Sequence, residues 1–160
     1  MKTIAKSLVV SVAIAVAVLW TKPAQAEVAN ISGTWKLNLE KSDFGKRPKP
    51  KSATLKLEHK EPSIKYTVTG TAGDGKPMKI DFSGTLDGKD YPVHGSPFAA
   101  KSNATRVNNS TTKGVSTSSD GKTVETYTVT ISKDGKTLTR KATVKGPDGE
   151  FATLAIYDKQ

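Results

Sequence analysis

The segment Ile31-Ser32-Gly33-Thr34-Trp35-Lys36-Leu37-Asn38-Leu39 sets apolar residues at alternate positions with polar residues between them. That alternation predicts a β-strand with one wet face. Successive strand side chains point to opposite faces, so Trp35, Leu37 and Leu39 share one side while Thr34, Lys36 and Asn38 share the other. Gly33 opens the strand. A glycine two residues before the tryptophan lets the backbone bend or another segment pack closely, so the large ring can plug the end of a sheet.

The same alternation recurs along the chain. Ala53, Leu55, Leu57 and His59 oppose Thr54, Lys56, Glu58 and Lys60; Ile64, Tyr66 and Val68 oppose Lys65, Thr67 and Thr69; Met78, Ile80 and Phe82 oppose Lys79, Asp81 and Ser83. Further strands are expected over 104–108, 112–116, 123–132, 137–145 and 151–158. Asp74-Gly75, Asp87-Gly88, Asp120-Gly121, Asp134-Gly135 and Asp148-Gly149 mark the joints, a pair that suits tight hairpins because both central residues tolerate positive φ. None of the five carries the alternate oxygen ligands and closing glutamate of a calcium loop. Residues 40–52, with two prolines and a basic run, read as a crossing loop with Phe44 beneath it. Tyr91-Pro92-Val93-His94-Gly95-Ser96-Pro97-Phe98 reads as a loop with a hydrophobic edge. No stretch after residue 27 carries a helical period. Many short strands in sequence tend to curl, and closure removes their edges, so the expected fold is all-β: a single antiparallel meander barrel of eight to ten strands.

Residues 1–26 are expected to be a cleaved signal peptide. Lys2 and Lys6 precede an apolar run from Leu8 to Trp20, and Ala24-Gln25-Ala26 ends in a cleavage signal before Glu27. The run is shorter than the roughly 20 residues of a membrane span. The mature domain is then 27–160, in the periplasm or secreted, with no transmembrane segment after the signal is removed. The chain has no cysteine, which excludes disulfides, thiol nucleophiles, cysteine metal sites and a lipid on an N-terminal cysteine. The formal charge of +10 falls to +7 without the three lysines of residues 1–26. Arg47, Arg106 and Arg140 are the only arginines. Nucleic-acid and phosphate readers lean on arginine forks, whereas these lysines alternate singly with threonine as a solvated sheet surface, so no specific nucleic-acid partner is expected.

Four segments in order, Gly33-Thr34-Trp35-Lys36-Leu37-Asn38, 87–93 (Asp-Gly-Lys-Asp-Tyr-Pro-Val), 133–138 (Lys-Asp-Gly-Lys-Thr-Leu) and Tyr157-Asp158-Lys159-Gln160, resemble small exported bacterial proteins of unknown function with lipocalin-like domains. The wider resemblance is to the lipocalin and fatty-acid-binding-protein group of barrels. It implies that Gly33 and Trp35 form the barrel floor and that a late-strand basic residue lies across the indole, with Arg140 matched first and Arg106 second. The chain lacks the lipocalin disulfide and the helix after the barrel. Inner faces are expected to carry Leu55, Leu57, Tyr66, Val68, Ile80 and Phe82, with Tyr127, Val129 and Ile131. Arg140 shares the inward register of Leu138, Ala142 and Val144. Tyr66 or Tyr127 with Arg106 would orient a carboxylate or other polar head, as the fatty-acid-binding resemblance implies. The candidate ligand-binding residues are therefore Tyr66, Phe82, Arg106, Tyr127 and Arg140.

His59 and His94 are the only histidines, one expected as a hydrogen-bonded core group and the other in a loop, with no spacing that joins them at a metal. No Gly-x-Ser-x-Gly elbow, phosphate loop or converging acid pair is present, so neither catalytic residues nor a cofactor are expected. The sequence points to an exported, monomeric, non-catalytic barrel binding a small, partly apolar or amphiphilic ligand. The alternative is a filled barrel whose lysine-rich face or 46–51 loop contacts an envelope polyanion.

Overall fold

A computed structural model describes residues 28–160; the signal-peptide reading of 1–26 lies outside them. Ten antiparallel strands, β1 (Gly33–Leu37), β2 (Ser52–Lys60), β3 (Ser63–Thr71), β4 (Pro77–Thr85), β5 (Tyr91–His94), β6 (Lys101–Asn108), β7 (Thr111–Thr117), β8 (Val124–Ile131), β9 (Thr137–Gly146) and β10 (Gly149–Lys159), form a meander. Each strand pairs with its neighbours in sequence, and β1 closes the barrel against β10 through Trp35↔Lys159, Lys36↔Asp158 and Leu37↔Tyr157. The alternating pattern decides which face turns inward. Ala53, Leu55 and Leu57 of β2 are buried while Lys56 and Glu58 are exposed, so the period-two hydrophobicity has set the register.

One end of the barrel is packed shut. Trp35 is fully buried (0% exposed) among Ile31, Leu55, Leu57, Ile131 and Leu138, and its Nε1 donates to the Ile31 carbonyl at 3.0 Å. Segment 38–51 runs the other way, up to the opposite end. It is stitched to β10 by reciprocal Asp43–Leu154 backbone bonds and by the Ser42 hydroxyl, which accepts from the Ile156 N–H.

Two local readings need correction. Tyr91–His94 is a strand, not a loop: Val93 is buried and pairs with Phe82, although the ladder on each side is only two pairs long. Pro92 has no N–H to offer, and so short a ladder loses little by it. In the Asp-Gly turns only the glycine takes positive φ, for example +90° at Gly75 and +68° at Gly135, and no other residue type does. Four of the aspartates instead accept, through Oδ1, from the N–H two residues on, at Lys76, Lys89, Lys122 and Lys136. The turn is held by an aspartate side chain and a left-handed glycine rather than by two left-handed residues.

Candidate functional site

The barrel encloses a cavity of about 610 Å³. Its wall is mainly aliphatic and aromatic, with Leu55 and Val68, Ile80 and Phe82, and Val129 and Tyr157 contributed by five strands. These fall on consecutive inward register rows, since Leu55 pairs with Val68 and Val68 with Ile80, while Tyr66 pairs with Phe82. Tyr66 and Phe82 stack at 5.0 Å between ring centroids. At the end away from Trp35 the rim is formed by Phe44, Arg47 and Pro48 of the crossing segment, the turn at 72–74 and Ser96–Ala99.

A charged group sits on this apolar wall. Glu125 and Tyr127 of β8 face Val144 and Ala142 of β9, and Arg140 lies opposite Val129 on one side and Ala155 on the other. The small Ala142 and Ala155 leave room for the guanidinium, which passes over the Tyr127 ring at 4.5 Å and donates from Nη1 to Glu125 Oε1 at 2.6 Å. Arg47 enters from the crossing segment, stacks on Phe98 at 4.6 Å and donates to both Glu125 oxygens at 3.2 and 3.3 Å. The Tyr127 hydroxyl donates to the Asn103 carbonyl at 2.9 Å and lies 3.1 Å from Ser102 Oγ. Gly114 makes this possible, because a Cβ there would fall 2.6 Å from the Tyr127 ring. Tyr66 and Tyr157 also line the cavity, and their hydroxyls have no hydrogen-bond partner among the described residues. Burial pushes both phenols up, so they stay protonated and able to donate.

Glu125 is only 5% exposed. Burial pushes its carboxyl up, but the guanidinium of Arg140 and then that of Arg47 pull it down further, so it ends below its ordinary value of 4.5 and is ionised. A carboxyl whose value is lower folded than unfolded contributes stability that is fully present above the unfolded value and lost as pH falls through the folded one. The urea midpoint is therefore expected to fall on acidification below a pH of about 4, and to fall less in Glu125→Gln. An equal acid response in both proteins would remove Glu125 as a source of it.

The sequence-derived candidates divide. Tyr66, Phe82, Tyr127 and Arg140 come together on the cavity wall. Arg106 does not: it is on the inward register of β6 but at the closed end, where Nη2 is 2.9 Å from His59 Nε2 and pairs with Glu61. Arg140 does not cover Trp35 either. Lys159 does, with Nζ 5.2 Å from the ring centroid, because β10 pairs Lys159 directly with Trp35, whereas Arg140 is drawn away by the buried carboxylate. Gly33 has φ +136°, and the Lys159 side chain crosses it, Cε lying 3.1 Å from where a Cβ would stand. Glu125 and the inward turn of Arg47 were missed. The signal for Glu125 was present, since it keeps the inward register of Tyr127, Val129 and Ile131. His59 is a buried side chain held by Glu61 and Arg106, and His94 is an exposed residue of β5. Among the described residues no group of three or more His, Asp or Glu is placed to hold a metal, and no helix is long and apolar enough to cross a membrane.

The architecture is thus a closed ten-stranded meander barrel with a ligand-sized interior carrying one polar centre. No protein-family model matches the chain, and no curated protein matches it in sequence. Two solved structures are similar in form. EF1p2_mFAP2b bound to DFHBI is 14% identical over 81% of this chain and 94% of that one, with a TM-score of 0.44. The redesigned beta barrel mFAP1, also bound to DFHBI, is 15% identical over 84% and 100%, with a TM-score of 0.43. At that level of similarity neither ligand nor activity carries across.

Proposed function

We propose that the protein is an exported, non-catalytic, lipocalin-like barrel that takes up a small, partly apolar molecule and acts as a monomer in the periplasm or outside the cell. The observation behind this reading is the cavity of about 610 Å³, apolar over most of its wall with Arg140, Tyr66 and Tyr157 turned into it. Small barrels either fill their interior with side chains or leave space for one ligand, and pockets of about 300–1,000 Å³ suit small molecules. The alternative, a filled barrel acting through its basic surface, has less support. Arg47 of the 46–51 loop is turned inward onto Glu125, and Lys46, though exposed, is bonded to the Asp148 carbonyl, so only Lys49 and Lys51 of its four cations are exposed without one of these two contacts.

Native mass spectrometry of protein purified without delipidation, together with a titration of the stripped protein by fatty acids and other small apolar compounds, tests this reading. Once residues 1–26 are removed, Trp35 is the only tryptophan, and Leu55, Leu57 and Leu138 pack against it while also lining the cavity. A co-purifying mass and a saturable change in Trp35 emission are expected. Ala155→Phe, which places a ring in the space facing Arg140, is expected to abolish the co-purifying mass while the protein stays folded. A bare mass with a flat titration would overturn the reading.

A further inference from the structure

One side chain holds the crossing segment down over the cavity. Asp43 ties the segment to β10, and at its other end the Lys51 N–H donates to the Thr71 carbonyl at 2.9 Å. Between these anchors Phe44, Pro48 and Pro50 line the cavity, and the two prolines have no N–H with which to bond the rim. Among the described residues only two hydrogen-bonded contacts join 44–50 to the barrel wall or its turns. The exposed Lys46 ammonium donates to the Asp148 carbonyl, beside β10, where the segment is already anchored. Arg47 makes the other. Its side chain is only 15% exposed, because it reaches down to Glu125 on β8 and lies over Phe98 of another rim segment. This contact can break without stranding a charge on the wall. Glu125 would keep its shorter bond, 2.6 Å from Arg140 Nη1, against 3.2 and 3.3 Å to Arg47. A guanidinium that swings out returns to water, and the carboxylate left behind still faces a cation, so the large penalty for an unpaired buried charge does not arise. Arg140 has no such freedom, since β9 is paired along its length with β8 and β10.

Resting on the reading of the cavity as a ligand site, we propose that residues 44–50 are a gate and that the Arg47–Glu125 pair is its latch: an apolar molecule passes only while the pair is broken, so the latch sets how fast the cavity fills and empties but not how tightly it binds. Arg47 is thus a gating residue rather than a contact to the ligand. The apolar wall that would hold a ligand, Leu55, Val68, Ile80 and Val129, belongs to strands that the latch does not touch. A latch broken equally often in the empty and the filled barrel scales entry and exit by the same factor, and the factor cancels from their ratio.

The test is stopped-flow mixing of the mature chain with phenylnaphthylamine, an apolar dye whose lack of charge keeps the ion pair from acting on it directly. Arg47→Met keeps an apolar stem over Phe98 but cannot pair with Glu125. It is expected to raise the association and dissociation rate constants together, each by about tenfold, the loss of one charged hydrogen-bonded contact, with the dissociation constant changed by less than about twofold. Hydrogen exchange gives a readout that needs no ligand: the amides of residues 46, 47 and 49 should exchange faster in the variant, and those of β8 and β9 should not. Dye uptake with both rates unchanged in Arg47→Met would overturn the latch and leave the ligand reading standing. Faster dissociation with unchanged association, and affinity weakened to match, would make Arg47 a contact to the ligand and overturn the latch as well. No uptake by either protein would remove the ligand reading and the gate together. Should Arg47→Met fail to fold by near-ultraviolet circular dichroism, Arg47→Lys, which keeps the charge but not the two-pronged contact, decides instead: a smaller parallel rise in both rates supports the latch, and no rise overturns it.

Discussion

Trp35→Ala is expected to lower the stability of the barrel by roughly 4 kcal/mol, at the upper end of what core truncations cost. The indole is fully buried, and its neighbours Ile31, Leu57 and Ile131 come from three different segments that cannot collapse together once it is gone. Its removal also leaves the Ile31 carbonyl without the Nε1 donor that it meets at 3.0 Å, a further penalty for a buried acceptor. Against a total of about 5–15 kcal/mol for a domain, this is a large fraction. Lys159→Met makes the contrast. The ammonium lies over the same ring from an exposed position, where a cation–π contact is worth about 0.5–1 kcal/mol. Urea midpoints for the two variants should therefore differ several-fold in their shift. Equal shifts would mean that Lys159, not burial of the indole, secures the floor.

The second large effect belongs to Glu125. Breaking a buried ion pair by removing one partner leaves the other charge uncompensated, and here two guanidiniums would be stranded, so Glu125→Ala is expected to cost about 3 kcal/mol. For a domain of this size that is a fall in melting temperature of about 10 °C. The cost is one of stranded charge rather than lost packing, so it should be non-additive. The double variant Glu125→Ala with Arg140→Met, which also removes one of the stranded cations, should be less destabilised than the sum of the singles. Additive losses would show that the two residues act independently, against the 2.6 Å contact between them.

The fold was legible because a strand with one buried face writes its register into the chain. Tyr66, Val68, Ile80 and Phe82 keep strict alternation, and their inward placement followed without any knowledge of their partners. The polar centre was less so. Alternation says which face a side chain takes but not how far along the barrel it sits, and Arg106 and Arg140 share the inward face at different heights, Arg106 at the closed end with His59 and Glu61 and Arg140 on the cavity wall. Which arginine meets which acid depends on the cross-strand register, set by turn lengths and by the short β5, whose proline disguised it. Arg47 was out of reach for another reason. It belongs to a segment with no periodicity, and its inward turn is fixed by Glu125 and Phe98, both more than fifty residues away in sequence.

The pairing of β1 with β10 has a consequence in time. Trp35 is among the earliest residues of the barrel to be synthesised, yet the strand that completes its surroundings runs to Lys159. The eight hairpins from β2 to β10 join strands adjacent in the chain and can form as they appear, but the seam cannot, because its loop spans the entire domain and the entropy of closing it must be met at once. Until then the nascent sheet has two bare edges and an exposed indole. Closing the seam between β1 and β10 is thus the step that completes the enclosure of Trp35, a residue that stands near the start of the barrel.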